Sequence, residues 1–378
     1  MHIQHTPNER IIKIEKTILR GVRPRSIGYN ARKGTHGPNI TDMVVRLTTE
    51  NGAWGIGPAN LSIDKAKDIL GSKIEKLFQL PDGAIDDGVC IDLPLWDLIA
   101  RMLNLPLYRL LGARGKRQVE LYDASIYIDD LNLNDEQAQS LFKEEIHSGL
   151  EHGYQNFKIK VGRGGRWMES TAGLLRDALV VRTVREASPK DAKIMVDANM
   201  GGTLNSTLEL IKLCADYDLY WFEEPFAEDK LLNHALKSHI IETNSKLLIA
   251  DGEFHPPNYF FKLVEEGLID VVQHDFCDYG LTWWRSTAAK LETWDALCAP
   301  HTWGSYIERY HHAHFAASIP NYALLEASPG KMPGIIEDGW SMHNGKLHVP
   351  DTPGAGIAIE KKIFAQGLED RSAFSLSF

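Results

Sequence analysis

Three short apolar runs, each closed by acids, decide how this chain is read: Ile194-Met195-Val196-Asp197, Tyr220-Trp221-Phe222-Glu223 and Leu248-Ile249-Ala250-Asp251-Gly252-Glu253. Asp197 and Glu223 stand 26 residues apart, and Glu223 and Glu253 stand 30 apart. Each gap has room for a strand, a crossover helix and two loops. In a closed parallel barrel, such strands bring their C-terminal ends to one rim. Three carboxylates gathered there repel one another unless a divalent cation lies between them. All-oxygen ligation suits Mg2+ or Mn2+ better than Zn2+. A lone strand-end acid is most simply a solvated side chain, but three on successive strands are not. In Asp251-Gly252-Glu253 the glycine lets the chain turn, so Glu253 is preferred as third ligand and Asp251 supports it.

Outward from these runs, the chain beyond residue 118 alternates apolar runs with amphipathic stretches. The runs predict strands at 120–126, 156–160, 193–197, 219–223, 247–251, 269–275, 296–301 and 322–326. Helical patterns fill most gaps, among them 206–217 and 282–293. Eight strands with intervening helices predict an α/β barrel, with one helix altered. A doubly wound sheet alternates in the same way, but no Gly-rich phosphate turn follows the first strands. Residues 10–60 read as a strand meander with a polar loop at 23–39, and 62–112 read as helices. After Ser328 the chain turns Gly- and Pro-rich, with a short strand at 346–349. The expected division is a capping domain at 1–117, a barrel at 118–345, and a segment, 346–378, returning to the cap.

The strand ends carry more chemistry than the acids. In Phe157-Lys158-Ile159-Lys160 the two lysines share a face, because strand side chains alternate. Paired inward ammonium groups lower each other's pKa, one route to a lysine base near neutral pH; the alternative is an edge strand with solvated lysines. Asp275 and His301 close the sixth and seventh predicted strands, where an aspartate can orient an imidazole for proton transfer. Glu326 closes the eighth and, if protonated, could hydrogen-bond a substrate carboxylate. Asn199 could reach the metal or the substrate. His311, His312 and His314 are expected at the surface or behind the site, residues 161–168 as a basic lid or a solvated loop, and Trp283-Trp284 as packing for a barrel helix.

Composition excludes several function classes. The 378 residues carry a net charge of −10 and 43% hydrophobic content, so no basic field draws nucleic acid or anionic lipid. No apolar run approaches the roughly 18 residues of a membrane span, and the polar N-terminus does not read as a signal peptide. Cys90, Cys214, Cys277 and Cys298 lie far apart and are expected as buried free thiols. A cytoplasmic protein is expected.

Taken in order, Lys158-Ile159-Lys160, Val196-Asp197-Ala198-Asn199, Phe222-Glu223-Glu224-Pro225, Gly252-Glu253, Asp275, Pro300-His301 and Leu325-Glu326 resemble the enolase superfamily, mandelate racemase subgroup. The stretch from Asp92 to Gly112 resembles the hinge between that family's capping domain and its barrel. The resemblance implies an N-terminal α+β capping domain over a modified (β/α)7β TIM barrel. It also implies one Mg2+ on Asp197, Glu223 and Glu253, and a homo-oligomer. Catalysis would fall to Lys160, with Lys158 beside it, and to His301 with Asp275. The implied step removes a proton α to a carboxylate, and metal charge with a hydrogen bond from Glu326 would stabilise the resulting enediolate. Two segments depart from the family pattern: the one after Asp275 has a single glycine and one residue fewer, and Gly55-Ile56-Gly57-Pro58-Ala59 lacks the usual acidic end.

The expected activity is that of a carbon–oxygen hydro-lyase, an acid-sugar dehydratase turning an aldonate or aldarate into a 2-keto-3-deoxy acid. Arg23, Arg25, Tyr29, Asn30, Arg32 and His36 of the polar loop offer donors to such a substrate; Arg25, Tyr29 and His36 are the main candidates with Asn199. A racemase or epimerase of a 2-hydroxy acid would use the same bases. A non-catalytic barrel scaffold would need no Mg2+.

Overall fold

A computed structural model describes residues 6–378. Three antiparallel strands lead: β1 (Ile11–Ile27), β2 (Gly37–Thr49) and β3 (Trp54–Pro58). The first two run further than sequence periodicity suggests, so half of the expected 23–39 loop is strand. Inward positions of the β1 extension hold Gly21 and Arg23 rather than hydrophobes, which hides the alternation. The helical stretch that follows is mixed: helices Ile63–Ile69, Asp92–Met102 and Leu107–Leu110 are interrupted by a two-residue hairpin.

Eight parallel strands then form the barrel: β4 (Gln118–Ile126), β5 (Asn156–Lys160), β6 (Ile194–Asp197), β7 (Leu219–Glu223), β8 (Leu248–Asp251), β9 (Val271–Val272), β10 (Leu297–Cys298) and β11 (Leu325–Ala327). Each pairs with its predecessor, a Cys298–Tyr322 bridge joins β10 to the chain entering β11, and β11 pairs with β4 to close the circle. Seven strands are followed by a barrel helix, and the eighth is not. This is the (β/α)7β form. Register sets the rim: Lys160 pairs with Asp197, and Asp197 with Glu223.

Alternation sorts the strand residues. Tyr122, Met195, Trp221, Ala250, Val271 and Ala299 fill the barrel floor, a cluster separate from the main core. Phe157, Ile159, Val196, Phe222 and Ile249 join the main core. Level with Met195 the inward position on β5 is Lys158, and two residues higher the inward positions become Lys160, Asp197 and Glu223, all buried. Burying charge at four neighbouring positions is tolerable only if the groups pair.

The C-terminal segment first attaches to the barrel, through Lys346–His348 on β4, and then reaches the N-terminal sheet. Helix Lys361–Gly367 packs on β1, and strand Phe374–Ser377 pairs with it. The Asp92–Met102 helix ties sheet to barrel. Asp92 accepts from the Thr282 N–H at 3.0 Å, and Trp96 donates to the Thr282 hydroxyl at 2.9 Å. Among the described residues no helix is long and apolar enough to cross a membrane. The four cysteines are free; Cys214 and Cys298 are buried, whereas Cys90 and Cys277 are only half-buried.

Candidate active site

Asp197, Glu223 and Glu253 each offer an oxygen, and the three oxygens lie within 4.8 Å of one another. Two backbone devices bring them together. Asp197 and Glu223 are strand ends in register. Glu253 lies two residues past β8, and Gly252, at φ 111°, turns the chain so that Glu253 joins them while Asp251 does not. An added Cβ at Gly252 would stand 2.7 Å from the His274 and Phe260 rings, so glycine is needed there for space as well as for φ. Asn199, Met200 and Glu224 also leave the rim through left-handed backbone (φ 45°, 56° and 41°). Such strain persists where surrounding structure over-determines it.

The lysines lie among the acids. Lys158 contacts Asp197 at 3.4 Å and Glu326 at 3.0 Å and hydrogen-bonds Glu223. Lys160 hydrogen-bonds Asp197. Burial works against both ammonium charges. It is outweighed by Glu223 and Glu326 around Lys158 and by Asp197 beside Lys160, which hold the two lysines above the ordinary range. The mutual lowering expected from the paired lysines is thus overridden. Burial likewise resists ionisation of Asp197, yet Lys160 and Lys158 keep it below the ordinary carboxylate range. Glu223 also receives Gln273 Nε2 at 2.8 Å and Trp221 Nε1 at 3.0 Å.

On the other flank, His301 Nδ1 meets Asp275 Oδ1 at 2.6 Å. That bond fixes the ring and leaves Nε2 3.6 Å from Glu253 and 3.8 Å from Glu326. Burial lowers the imidazole pKa, but Glu253, Glu326 and Asp275 together lift it well above the ordinary value. The single glycine after Asp275 does not disturb this pair; Gly280 takes φ 78° and kinks the following helix instead. The hydrogen bond expected from Glu326 needs its protonated form, and its surroundings favour the carboxylate. Against the pull of burial, Lys158, His301 and the Thr302 N–H at 2.9 Å hold it down at about 2.

The other candidates are each engaged within the protein. Asn199 gives its N–H to Asp197 Oδ1 (2.8 Å) and its amide to Glu224 (3.2 Å), which is buried. Arg25 spends its donors on Asp129 (3.2 Å), Glu145 (2.9 Å) and the Ser125 carbonyl (2.5 Å). Tyr29 packs edge-on against Trp167. His36 holds the Gly28 carbonyl at 2.8 Å and packs on Tyr127, whose ring lies 5.2 Å from the Lys160 ammonium. Arg163 is no lid charge, being fully buried between Asp130 and Asp177. His311, His312 and His314 are fully buried, because their helix is covered on every side from Tyr310 onward. Trp284 is buried in its barrel helix as expected. Sequence reasoning missed Gln273, Trp221 and Thr302. Period-two alternation from the inward Val271 would have found Gln273.

The residues fit a divalent cation. The donor set is all oxygen, and Glu253 Oε1 is buried with no hydrogen-bond partner. Such an atom costs free energy unless something of opposite charge approaches it. Three carboxylates at the barrel mouth, with Lys160 on one flank and His301 on the other, place two proton-carrying side chains beside a group of oxygens that could hold a metal ion. The Enolase C-terminal domain-like family model matches residues 142–363. The chain is 33% identical to the galacturonate dehydratase of Geobacillus sp., solved with D-galacturonate and 5-keto-4-deoxy-D-galacturonate. That match covers 97% of this chain and 99% of that one, with a TM-score of 0.92. It is 32% identical to a mandelate racemase/muconate lactonizing protein from Geobacillus sp. complexed with magnesium and tartrate (98% and 97% covered, TM-score 0.93). It is also 25% identical to the 3,6-anhydro-alpha-L-galactonate cycloisomerase of Streptomyces coelicolor, over 86% of this chain and 91% of that one. The chain belongs to the enolase superfamily, in its mandelate racemase subgroup.

Proposed function

We propose that this protein is a Mg2+-dependent acid-sugar dehydratase, a hydro-lyase acting on a uronate, aldonate or aldarate. The observation that carries the proposal is the pair of proton-transfer groups flanking one carboxylate trio: Lys160 at Asp197, and His301 steered by Asp275 toward Glu253 and Glu326. Likeness to a galacturonate dehydratase over nearly the whole chain supports it.

Asp197, Glu223 and Glu253 would hold the cation. When bound, the cation supplies positive charge beside the substrate carboxylate, making the α proton easier to remove. Its charge would also take over the neutralisation that the ammonium groups now provide, freeing Lys160 to act as base. Lys160 or His301 accepts the α proton. His301 gives a proton to the β hydroxyl, the C–O bond breaks, water departs, and the enol tautomerises to the keto-deoxy acid. Asp275 holds the imidazole so that Nε2 faces the reacting atoms. Arg25, paired with Asp129 and Glu145, is not needed as a substrate contact. His36 and Tyr127, beside Lys160, are better placed.

Incubation with a library of acid sugars and Mg2+, reading keto-deoxy product, tests the proposal. At least one member should be dehydrated by the wild type and not by Lys160→Ala or His301→Asn. Inversion or deuterium exchange with no keto product would favour the racemase reading, which uses the same two flanks. No turnover and no Mg2+ response would leave a scaffold.

A further inference from the structure

Phe254, which directly follows the third carboxylate, is in a conformation its side chain disfavours. At φ 57° it is the only aromatic among the described non-glycine residues with left-handed backbone. Bulky residues avoid that region, where glycine is at home and asparagine tolerated. The residue is also 46% exposed, at the mouth of the barrel. A turn alone would be served better by glycine, so the ring has to do something that offsets both disadvantages.

Its contacts show what. The Phe254 N–H donates to Asp275 Oδ2 at 2.8 Å, while Asp275 Oδ1 meets His301 Nδ1 at 2.6 Å. The left-handed turn therefore fixes the aspartate from the side away from the imidazole. The Phe254 ring then lies against that imidazole, centroids 5.9 Å apart and planes at 57°. From the N-terminal sheet, the β1–β2 loop brings Lys33 to the same ring, its ammonium 5.3 Å from the centroid. Lys33 is itself held in a turn. Asn30 Oδ1 accepts the N–H groups of Arg32 (2.9 Å) and Lys33 (2.6 Å), and the Asn30 N–H reaches the Lys33 carbonyl at 3.1 Å.

We propose that Phe254 is a positioning residue for the His301–Asp275 pair and that Lys33, by clamping its ring, couples the β1–β2 loop to the orientation of the imidazole. The chain of contact runs from Asn30 through Lys33 and Phe254 to His301. Its catalytic consequence rests on the dehydratase reading; its structural content does not. Asn30 and Lys33 both come from the β1–β2 loop, and Lys33 alone of the two touches the Phe254 ring.

The structural test labels histidine with 15N and follows exchange with water of the His301 Nδ1 proton, assigned by its loss in His301→Asn. Phe254→Ala should speed that exchange about tenfold, the scale of a lost aromatic contact. Lys33→Gln should speed it about two- to fivefold, the scale of a half-exposed cation–π contact, and Lys33→Arg should not. The double variant should exchange no faster than Phe254→Ala alone. Phe254→Gly keeps the N–H and relieves the backbone, so it folds at least as stably as the wild type yet exchanges as fast as the alanine variant. Unchanged exchange in both Phe254 variants overturns the positioning role, and unchanged exchange in Lys33→Gln overturns the coupling. On a turned-over acid sugar, Phe254→Ala and Lys33→Gln should each lower kcat and leave KM near the wild-type value. A rise in KM confined to Lys33→Gln would make Lys33 a substrate contact and overturn the coupling. If the wild type turns over no acid sugar, the function proposal fails and proton exchange still decides this one.

Discussion

Replacing Lys158 by Met tests how the buried acids are kept together. The ammonium touches Asp197 at 3.4 Å and Glu326 at 3.0 Å and hydrogen-bonds Glu223, and the lysine is 1% exposed. At an effective dielectric of about 20, a unit pair 3.0 Å apart attracts by about 5.5 kcal/mol, most of it offset by desolvation. Methionine fills a similar volume but leaves three carboxylates without their shared cation. Removing one partner of a buried pair costs about 3–5 kcal/mol. For 378 residues the unfolding entropy near Tm is about 0.8 kcal/mol per degree, so Tm without metal should fall by about 4–6 °C. A divalent cation binding only the folded state adds about 2.7 kcal/mol at a hundred times its Kd, or about 3 °C. In Lys158→Met that gain should be larger, because no ammonium competes for the oxygens. Differential scanning calorimetry in EDTA and in a Mg2+ series measures both quantities. A variant melting within a degree of the wild type in EDTA, with the same Mg2+ response, would refute this account of the cluster.

Glu253→Gln should abolish the Mg2+-dependent rise in Tm while Asp251→Asn keeps it; the reverse would move the third ligand to Asp251. Asp275→Asn should lower kcat about 10²- to 10⁴-fold with little change in KM, read by steady-state kinetics on the turned-over acid sugar. Burial holds His312 at about 3 against an unfolded value of 6.5. Its folded pKa is depressed, so the unfolded chain binds the proton first, and stability is lost as pH falls below 6.5. Between pH 7.5 and 5.5 the cost is about 1.4 kcal/mol for this one residue. In urea unfolding, His312→Gln should therefore lose less stability than the wild type over that interval, by about that amount. Parallel curves would show that His312 takes up its proton in the fold as readily as in the unfolded chain, and would refute the depression.

How much of this was legible in the sequence follows from what each signal depends on. The carboxylate trio depended on strand ends and a glycine, both of which are local, and Asp197, Glu223 and Glu253 converge as read. The barrel closes as predicted, although β9 and β10 shrink to two ladder residues each. Their expected ends persist only as the isolated Asp275–His301 bridge, because there the chain leaves the ladder to reach the rim. Protonation was less legible. Alternation put Lys158 beside Lys160, but which charges surround an ammonium is set by neighbouring strands, and here acids outnumber bases. The loop residues were least legible. Arg25 reads as a free donor until Asp129 and Glu145, more than a hundred residues away, are folded onto it. Of the two placements open for the histidine helix, the surface one fails for a related reason. Its three imidazoles count as polar in any periodicity, yet each is buried, His312 stacked on Phe276 and bonded to Tyr322 at 2.6 Å.

The proposal that this site dehydrates an acid sugar is tested most directly by turnover in D2O with Mg2+, following the product by NMR, with D-galacturonate and the corresponding aldonates and aldarates as substrates. The account predicts a keto-deoxy acid with one deuteron in its new methylene group, formed by the wild type and absent with EDTA or in Lys160→Ala. Deuterium at the α carbon of recovered or inverted substrate, with no keto-deoxy acid from any member of the set, would contradict it.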